Sequence, residues 1–431
     1  MIAFPNGIKA DNDSPGRPGR PGEPEGFDDY RRRGGYEALG KAIWEPSRTL
    51  IATIVASGLG GRGGAGFPTG RKWRIAAETD AKERYLVCNA GEDEPGSFKD
   101  RVLLESSPHL ILEGMILGAY AIGAARAYLY LNETYTNSSD RMSEAISEAS
   151  AAGYLGDNIL GSGFALEVVV HPAPTVYVAG EDSASLEVLE GRDPKPREKP
   201  PYPAVAGLFG MPTVVNNVET LAHVAPIVRN GAEWYQGFGV KDRPGTMIFC
   251  LGPEVEKPGA YELPVGTTAR YLLETCGGGL KGAARVKAFL PGGPSCAFLL
   301  DSDLDVALDP ASLKAVGSSL GCGVMRFFPE GTCMLEPTLE LAQFFARESC
   351  GQCSACRMET MMLSALVEKI RLGQGDATLF DQIPRVLDFN RGRGFCALVD
   401  MPGPPLLSAI KLFRADFDHH LEHGECGAGK I

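Results

Sequence analysis

Short apolar runs and longer segments of helical period take turns along the first half of the chain. Positions 85–88 (YLVC), 127–130 (AYLY) and 166–170 (LEVVV) are rich in β-branched or aromatic residues and end at polar or glycine-containing loops, as strands do. Between them, Ser107-Pro108 has the composition of an N-cap followed by a first-turn proline, which opens a helix over 109–123. A second helical period covers 138–152. This alternation over residues 30–240 predicts an α/β domain with a parallel or mixed sheet. Its functional groups are expected in the loops at the strands' carboxyl ends.

The pattern then changes. Two strands (246–251 and 260–265), a helix (269–276) and another strand (285–290) give a ββαβ order, the mark of a small α+β module over 241–330. From residue 331 onward helices dominate, predicted at 338–348, 358–372, 378–389 and 406–421 and joined by glycine- and cysteine-containing loops, so 331–431 reads as a helical bundle. Residues 1–29 contain the Pro/Gly-rich stretch SPGRPGRPGEPEG and little to bury, and are expected to form a flexible arm.

Charge narrows the function. With 42 basic against 54 acidic residues the net charge is -12, which excludes a general binder of nucleic acid or anionic membrane. An anionic dinucleotide remains compatible, because backbone N–H groups and single lysines cradle phosphates locally. The N-terminus carries no secretory pattern, and the apolar stretch 110–124 is interrupted by Glu113 and too short to span a bilayer. A cytoplasmic protein without membrane insertion is expected. Eleven cysteines in such a chain suit metal ligands and buried thiols better than disulfides.

The sharpest motif is ESCGQCSACR, residues 348–357. Its C-x2-C-x2-C spacing aims the sulfurs of Cys350, Cys353 and Cys356 at one small volume and leaves a cubane cluster one thiolate short. Cys396, in RGRGFCALVD, is the best fourth ligand, with Cys333 and Cys426 as alternatives. A zinc site would more often use two separated C-x2-C pairs, so the spacing favours 4Fe–4S. The pair His419-His420 points in different directions on a helix, which argues against a two-histidine metal site.

Five further stretches are less specific. GLGGRGGAGFPTGRKW (58–73) frees the backbone to approach a phosphate or flat ring and adds Lys72, although it is neither a P-loop nor a dinucleotide fingerprint. CNAGEDEPGSFKDR (88–101) follows a strand and offers carboxylates to ribose hydroxyls or a flavin edge; a solvated acidic loop is the plainer alternative. YVAGEDSAS (177–185) reads as a strand ending in a glycine and two carboxylates. PREKPPYP (196–203) stiffens a loop carrying Lys199 and Tyr202, and PTVVNNVET (212–220) supplies paired amides.

Taken in order, these motifs resemble the NADH-binding flavoprotein subunit of respiratory complex I and the related diaphorase subunits of NAD-linked formate dehydrogenases, hydrogenases and bifurcating complexes. The resemblance covers about residues 30–425. It implies a Rossmann-like FMN domain, a ubiquitin-like (β-grasp) module and a helical bundle with one 4Fe–4S cluster. It also implies hydride transfer between NAD(H) and FMN, then single electrons to the cluster. By the same resemblance Gly61, Arg62, Gly63 and Lys72 line the FMN and Phe67 stacks on NADH. Asn89 and Glu92 meet the FMN, and Glu94 the nicotinamide nucleotide. Tyr177, Gly180, Glu181 and Asp182 flank flavin and NADH, Lys199 and Tyr202 hold the adenosine end, and Val215, Asn216 and Asn217 lie by the FMN phosphate.

The chain departs from the family pattern at Gly91, where an aspartate is usual, and at Ala179, Asp182 and Ser185 in place of cysteine, glutamate and leucine; Cys322 interrupts a glycine-rich segment. These departures sustain a rival reading, a non-catalytic scaffold that keeps a cluster and not flavin. No thioredoxin-like 2Fe–2S segment precedes the FMN domain, so a separate 2Fe–2S subunit is the implied partner, with further subunits of a parent complex.

Overall fold

The computed structural model describes the backbone of Lys9–Ala10 and residues 25–426. Most of the expected arm lies outside the described residues. Lys9–Ala10 pairs antiparallel with Tyr261 and Ala260, and the chain is helical from Phe27 to Arg32.

The N-terminal region is built on a four-stranded, all-parallel sheet in the order Glu167–Ala173, Arg126–Asn132, Tyr85–Ala90, Thr213–Asn217. The expected strands are there, each extended by two or three residues toward its carboxyl end. The helix opened by Ser107-Pro108 runs Pro108–Ile122 and is buried along almost its whole length. Ser107 makes no side-chain cap, so the proline is the part of that signal the fold uses. Glu113, which interrupts the apolar stretch, is buried as an acceptor: it takes the backbone N–H of Tyr36 (2.9 Å) and Leu39 (3.0 Å) and the hydroxyl of Tyr30. A charge in that helix therefore ties the N-terminal helices to the core. The helix is too short for a span, and among the described residues no single helix is long and apolar enough to cross a membrane.

The second sheet is mixed, with Lys9–Ala10, Gly259–Pro264, Thr246–Leu251, Val324–Pro329, Val286–Leu290 and Leu299–Leu300 in that order. The ββαβ order is present, and the helix is a π-helix at Tyr271–Cys276. The strand Val324–Pro329, which the sequence pattern did not single out, joins the two halves of this sheet by pairing parallel with one neighbour and antiparallel with the other. Beyond it, helices Leu335–Glu348, Ser354–Arg371, Thr378–Asn390, Gly403–Leu412 and Arg414–His423 share one apolar core.

Two local expectations are corrected. The helix expected over 406–421 is broken at Phe413, whose backbone leaves helical geometry (φ -124°, ψ 33°) while its ring packs edge-on against Phe298. Residues Tyr177–Gly180 form a 3-10 turn and not a strand, and a helix, Asp182–Leu189, follows. The β-branched and aromatic composition there serves packing against the cysteine region.

Candidate functional site

The parallel sheet brings distant motifs to one edge. Asn89 lies in register with Asn217 and Cys88 with Asn216, so the carboxyl ends of a central strand and its edge-strand neighbour present three asparagines side by side. Such an end is where open α/β sheets receive ligands. Asn216 Oδ1 accepts from the indole N–H of Trp73 (2.8 Å) and Lys72 Nζ donates to the carbonyl of Val215 (2.9 Å), fixing the glycine loop and its helix, Thr69–Glu78, against this edge. A Cβ on Gly63 would stand 3.1 Å from the Asn217 Cβ, so the loop's close approach there depends on glycine. Phe67 is 41% exposed at the same place, with the Arg71 and Lys72 cations within 6 Å of its ring.

The acidic loop meets the 3-10 turn on the other side. Asn89 Nδ2 donates to the carbonyl of Gly180 (2.8 Å), and a Cβ on Gly180 would lie 3.0 Å from the Gly91 carbonyl. Glu94 is half-buried and hydrogen-bonded to Tyr177; loss of solvent around it pushes its carboxyl up to about 7. Glu92 is likewise raised to about 7, by burial and then by Asp100. Asp93 is raised to about 6 by burial. Lys199 bridges Glu181 and Asp182. Burial raises Glu181, whereas Glu181 and the Lys199 ammonium hold Asp182 low against its own burial. Tyr202, 60% exposed, projects from the proline loop.

Several residues do something other than the sequence suggests. The guanidinium of Arg62 is wholly buried and spent on the carbonyls of Thr246, Gly60 and Pro244 and the hydroxyl of Tyr235, so it locks the N-terminal region to the start of the second sheet. Glu92 accepts the backbone N–H groups of Asp100 and Arg101 and the Ser97 hydroxyl, holding the start of the helix Lys99–Ser106. Asn217 caps the helix Val218–Ala222 through Glu219 N and binds Asp100. For Arg62 and Glu92, groups other than these occupied side-chain atoms would have to meet a flavin.

A buried ionic group beneath the cradle escapes sequence reading. Lys99 pairs with Asp100 (2.7 Å) and Glu219 (3.0 Å) and donates to Asn217 Oδ1 (3.1 Å). Its ammonium is held above the usual lysine range by Asp100, Glu219 and Glu92 against the cost of burial. The residues sit in two of the motif windows, but charged side chains in loops read as solvated until the sheet brings 99–100 and 217–219 together. The glycine pair at 292–293 was missed as well: Gly293 has φ +102° and leaves a Cβ only 2.4 Å from Glu94 Oε1, so the second sheet's loop closes on the acidic run.

Gly91, the main departure from the family pattern, is matched to its surroundings. A Cβ there would come within 3.1 Å of the Tyr130 ring, and the Gly91 N–H is taken by Asn89 Oδ1. The Tyr130 hydroxyl and Asp93 Oδ2 are buried without a protein partner. Orphaned polar atoms beside glycines that let backbones approach closely, with the half-buried Lys72 at the same edge, fit a polar planar group such as FMN.

The second part of the site is a small cavity lined by Cys350, Cys353, Cys356 and Cys396, with Val178, Pro196 and Phe395 among the other walls. Cys333 and Cys426 are not among them. Cys353 stands at the N-cap of the helix Ser354–Arg371 and Cys356 in its first turn, while Cys396 opens the 3-10 turn Ala397–Asp400. The N–H of Phe395 points at Cys353 Sγ (3.3 Å) and Ser349 Oγ lies 3.4 Å from Cys356 Sγ. Burial raises the free Cys396 thiol to about 11. Four sulfurs around one apolar cavity, already receiving N–H and O–H groups, fit a cubane cluster.

Cradle and cavity abut. Tyr177 meets Glu94 on one side and packs edge-on against Phe344 on the other, its neighbour Val178 lines the cysteine cavity, and Gln352 Nε2 binds the carbonyl of Pro196 (2.7 Å). A nucleotide cradle set against a four-thiolate cavity defines the class of flavin and iron–sulfur oxidoreductases.

Comparison with known proteins narrows the class. Residues 54–226 match the Nuo51 FMN-binding domain, residues 336–420 the NADH-ubiquinone oxidoreductase-F iron–sulfur binding region and residues 247–299 the SLBB domain. The chain is 44% identical over 398 residues to the second F subunit of NADH-quinone oxidoreductase from Rhizobium meliloti, covering 92% of this chain and 94% of that protein. It is 43% identical over 400 residues to the F subunit of NADH-quinone oxidoreductase from Streptomyces coelicolor, covering 93% and 89%. An NAD+-reducing [NiFe]-hydrogenase chain superposes with a TM-score of 0.82 at 34% identity over 90% of this chain, which spans 65% of that longer chain. The chain belongs to the family of NADH-quinone oxidoreductase F subunits, oxidoreductases that bind FMN and a 4Fe–4S cluster. That membership favours the enzyme over the non-catalytic scaffold.

Proposed function

We propose that this chain is the NADH-oxidising, or NAD+-reducing, subunit of a multi-subunit redox complex, with FMN and NAD(H) in the cradle and one 4Fe–4S cluster on Cys350, Cys353, Cys356 and Cys396. The carrying observation is the 3-10 turn Tyr177–Gly180, which faces the cradle through Tyr177 and the cysteine cavity through Val178. When bound, FMN converts between the two-electron chemistry of a nicotinamide and the one-electron chemistry of an iron–sulfur cluster.

The residues divide the work. Gly61, Gly63 and Lys72 would hold the flavin's phosphate arm, with Val215, Asn216 and Asn217 keeping the sheet edge open beneath it. Asn89, Gly180, Glu181 and Asp182 would face its ring system. Phe67, Glu94, Lys199 and Tyr202 would meet the nicotinamide dinucleotide, and the acidic run disfavours a 2′-phosphate, so NADH is expected over NADPH. Arg62 and Glu92 act by holding the loops that carry these groups. Residues 30–240 would then be the FMN/NADH domain, 241–330 a β-grasp module and 331–431 the cluster-bearing bundle.

A thioredoxin-like 2Fe–2S subunit is the proposed partner, with further iron–sulfur or catalytic subunits beyond it. Exposed apolar side chains near the cluster helix (Met358, Met361, Met362, Phe389 and Phe395) support a docking face at that end. The assembly would be cytoplasmic or peripheral to a membrane complex. Anaerobic titration with NADH tests the reading: flavin absorbance should bleach and a reduced-cluster EPR signal should grow. Flavin that stays oxidised under excess NADH, or protein that carries iron and never flavin, would overturn it.

A further inference from the structure

Away from the cradle and the cluster cavity, the fold gathers three ligating groups from distant parts of the chain. Cys333 stands just before the helix Leu335–Glu348, His420 lies on the helix Arg414–His423, and Cys426 follows in the tail. Their ligand atoms all lie within 4.8 Å of one another, with Cys333 and His420 buried and Cys426 half-buried.

A buried histidine whose ring nitrogens both bind groups that cannot ligate a metal is mere packing. At His420 the partner of Nε2 is itself a thiol, Cys333. Nδ1 lies 3.1 Å from the carbonyl of Arg371, which makes it the protonated nitrogen, and this turns the Nε2 lone pair toward Cys333 Sγ at 3.3 Å. An imidazole whose far nitrogen is anchored on a backbone carbonyl is the usual arrangement of a metal-ligating histidine. Cys333 also receives the backbone N–H groups of Leu335 and Glu336 at the start of that helix. The two segments are pinned independently of these ligands: Met334 N donates to Asp416 Oδ2 (2.8 Å), and Lys287 pairs with the same carboxylate (2.7 Å).

We propose that Cys333, His420 and Cys426 form a second metal site, for a thiophilic divalent cation such as zinc, distinct from the cluster cavity. Tetrahedral zinc with sulfur at about 2.3 Å and nitrogen at about 2.0 Å sets ligand atoms roughly 3.5–3.8 Å apart. The Cys333–His420 pair is already near that spacing, and Cys426 needs about an ångström of closure from a half-buried tail position. Two thiols release their protons to solvent on binding, and their thiolates neutralise the cation. Two sulfurs are too few for a cubane, so the site does not compete for the cluster. Solvent would take the fourth position. The metal would staple the tail to the beginning of the helical region.

The test uses the full chain with its flavin and cluster, equilibrated with zinc sulfate under reducing, anaerobic conditions and freed of loose metal. Elemental analysis should find one zinc per chain, and zinc-edge X-ray absorption should show two sulfur and one nitrogen ligand. Cys426→Ser and Cys333→Ser should each weaken zinc retention at least about tenfold, with iron and flavin contents as in the parent. Cys426→Ser keeps the test open should the buried variant not fold. Absence of zinc, a four-sulfur shell, zinc kept in the Cys426→Ser variant, or a Cys333–Cys426 disulfide under these conditions would overturn the proposal.

Discussion

The cysteine cavity and the nucleotide cradle were built by opposite strategies. Three of the cavity's four sulfurs come from one seven-residue loop and helix start, whose spacing nearly dictates their convergence, while Cys396 is the only remote contribution. The cradle has no such nucleus. It is assembled from five separate stretches that meet because two parallel strands place Asn89 beside Asn217, because Gly63 lets its loop reach the Asn217 side chain and because Gly180 lets two backbones touch. The first kind of site tolerates change in the scaffold and depends absolutely on its ligands. The second tolerates change in single contacts and depends on the buried supports beneath them.

That contrast predicts a graded set of outcomes. The largest is Cys396→Ala. Iron content and the reduced-cluster EPR signal should be lost, while NADH still bleaches the flavin. Retention of a native cluster would show that the remote sulfur is not the fourth ligand. Next is Lys99→Met, which leaves Asp100 and Glu219 buried without their cation. A loss of about 3–5 kcal/mol is expected in urea unfolding, with flavin occupancy falling alongside although Lys99 lies beneath the cradle. A change below about 1 kcal/mol would mean that the cradle does not rest on that network.

Smaller effects follow at the acidic loop. Glu94 sits at about 7 against an ordinary 4.5, raised by burial. A raised carboxyl contributes stability that is fully present below about pH 4.5 and is lost as pH rises through about 7. Glu94→Gln should therefore flatten the pH dependence of the flavin-free protein across that window and stabilise it by about 2–3 kcal/mol at pH 8. Melting curves at pH 5 and pH 8 read this directly, and an unchanged slope would remove Glu94 as its source. Smallest is Gly91→Ala. Its Cβ crowds the Tyr130 ring, which should cost about 1–2 kcal/mol; adding Tyr130→Leu should recover most of it. Equal losses with and without the tyrosine would show that the glycine is needed for something other than room.

The legibility of the two regions follows the same line. The cluster motif could be read from spacing because its geometry is local, as could the parallel strands and the first-turn proline at Pro108. The strand Val324–Pro329, the break at Phe413 and the 3-10 turn at Tyr177 could not, because each is decided by what packs against it: the two halves of the second sheet, the ring of Phe298, and the cysteine region. Arg62 looked like a ligand-facing cation in a glycine loop and proved to be an interior clamp. Burial reverses what a charge does, and burial is not visible in a loop.

By itself the sequence determined most of the elements, the order of the motifs and three of the cavity's four sulfurs, all consequences of short-range periodicity and spacing. Tertiary structure alone decided that the cradle and the cavity share the turn at Tyr177, that Lys99 supports Asn217 from below, and that Cys333, His420 and Cys426 meet. Those outcomes depend on which distant backbones lie in register, and register is set by the packing of whole sheets and helices, a property that no local stretch of residues carries.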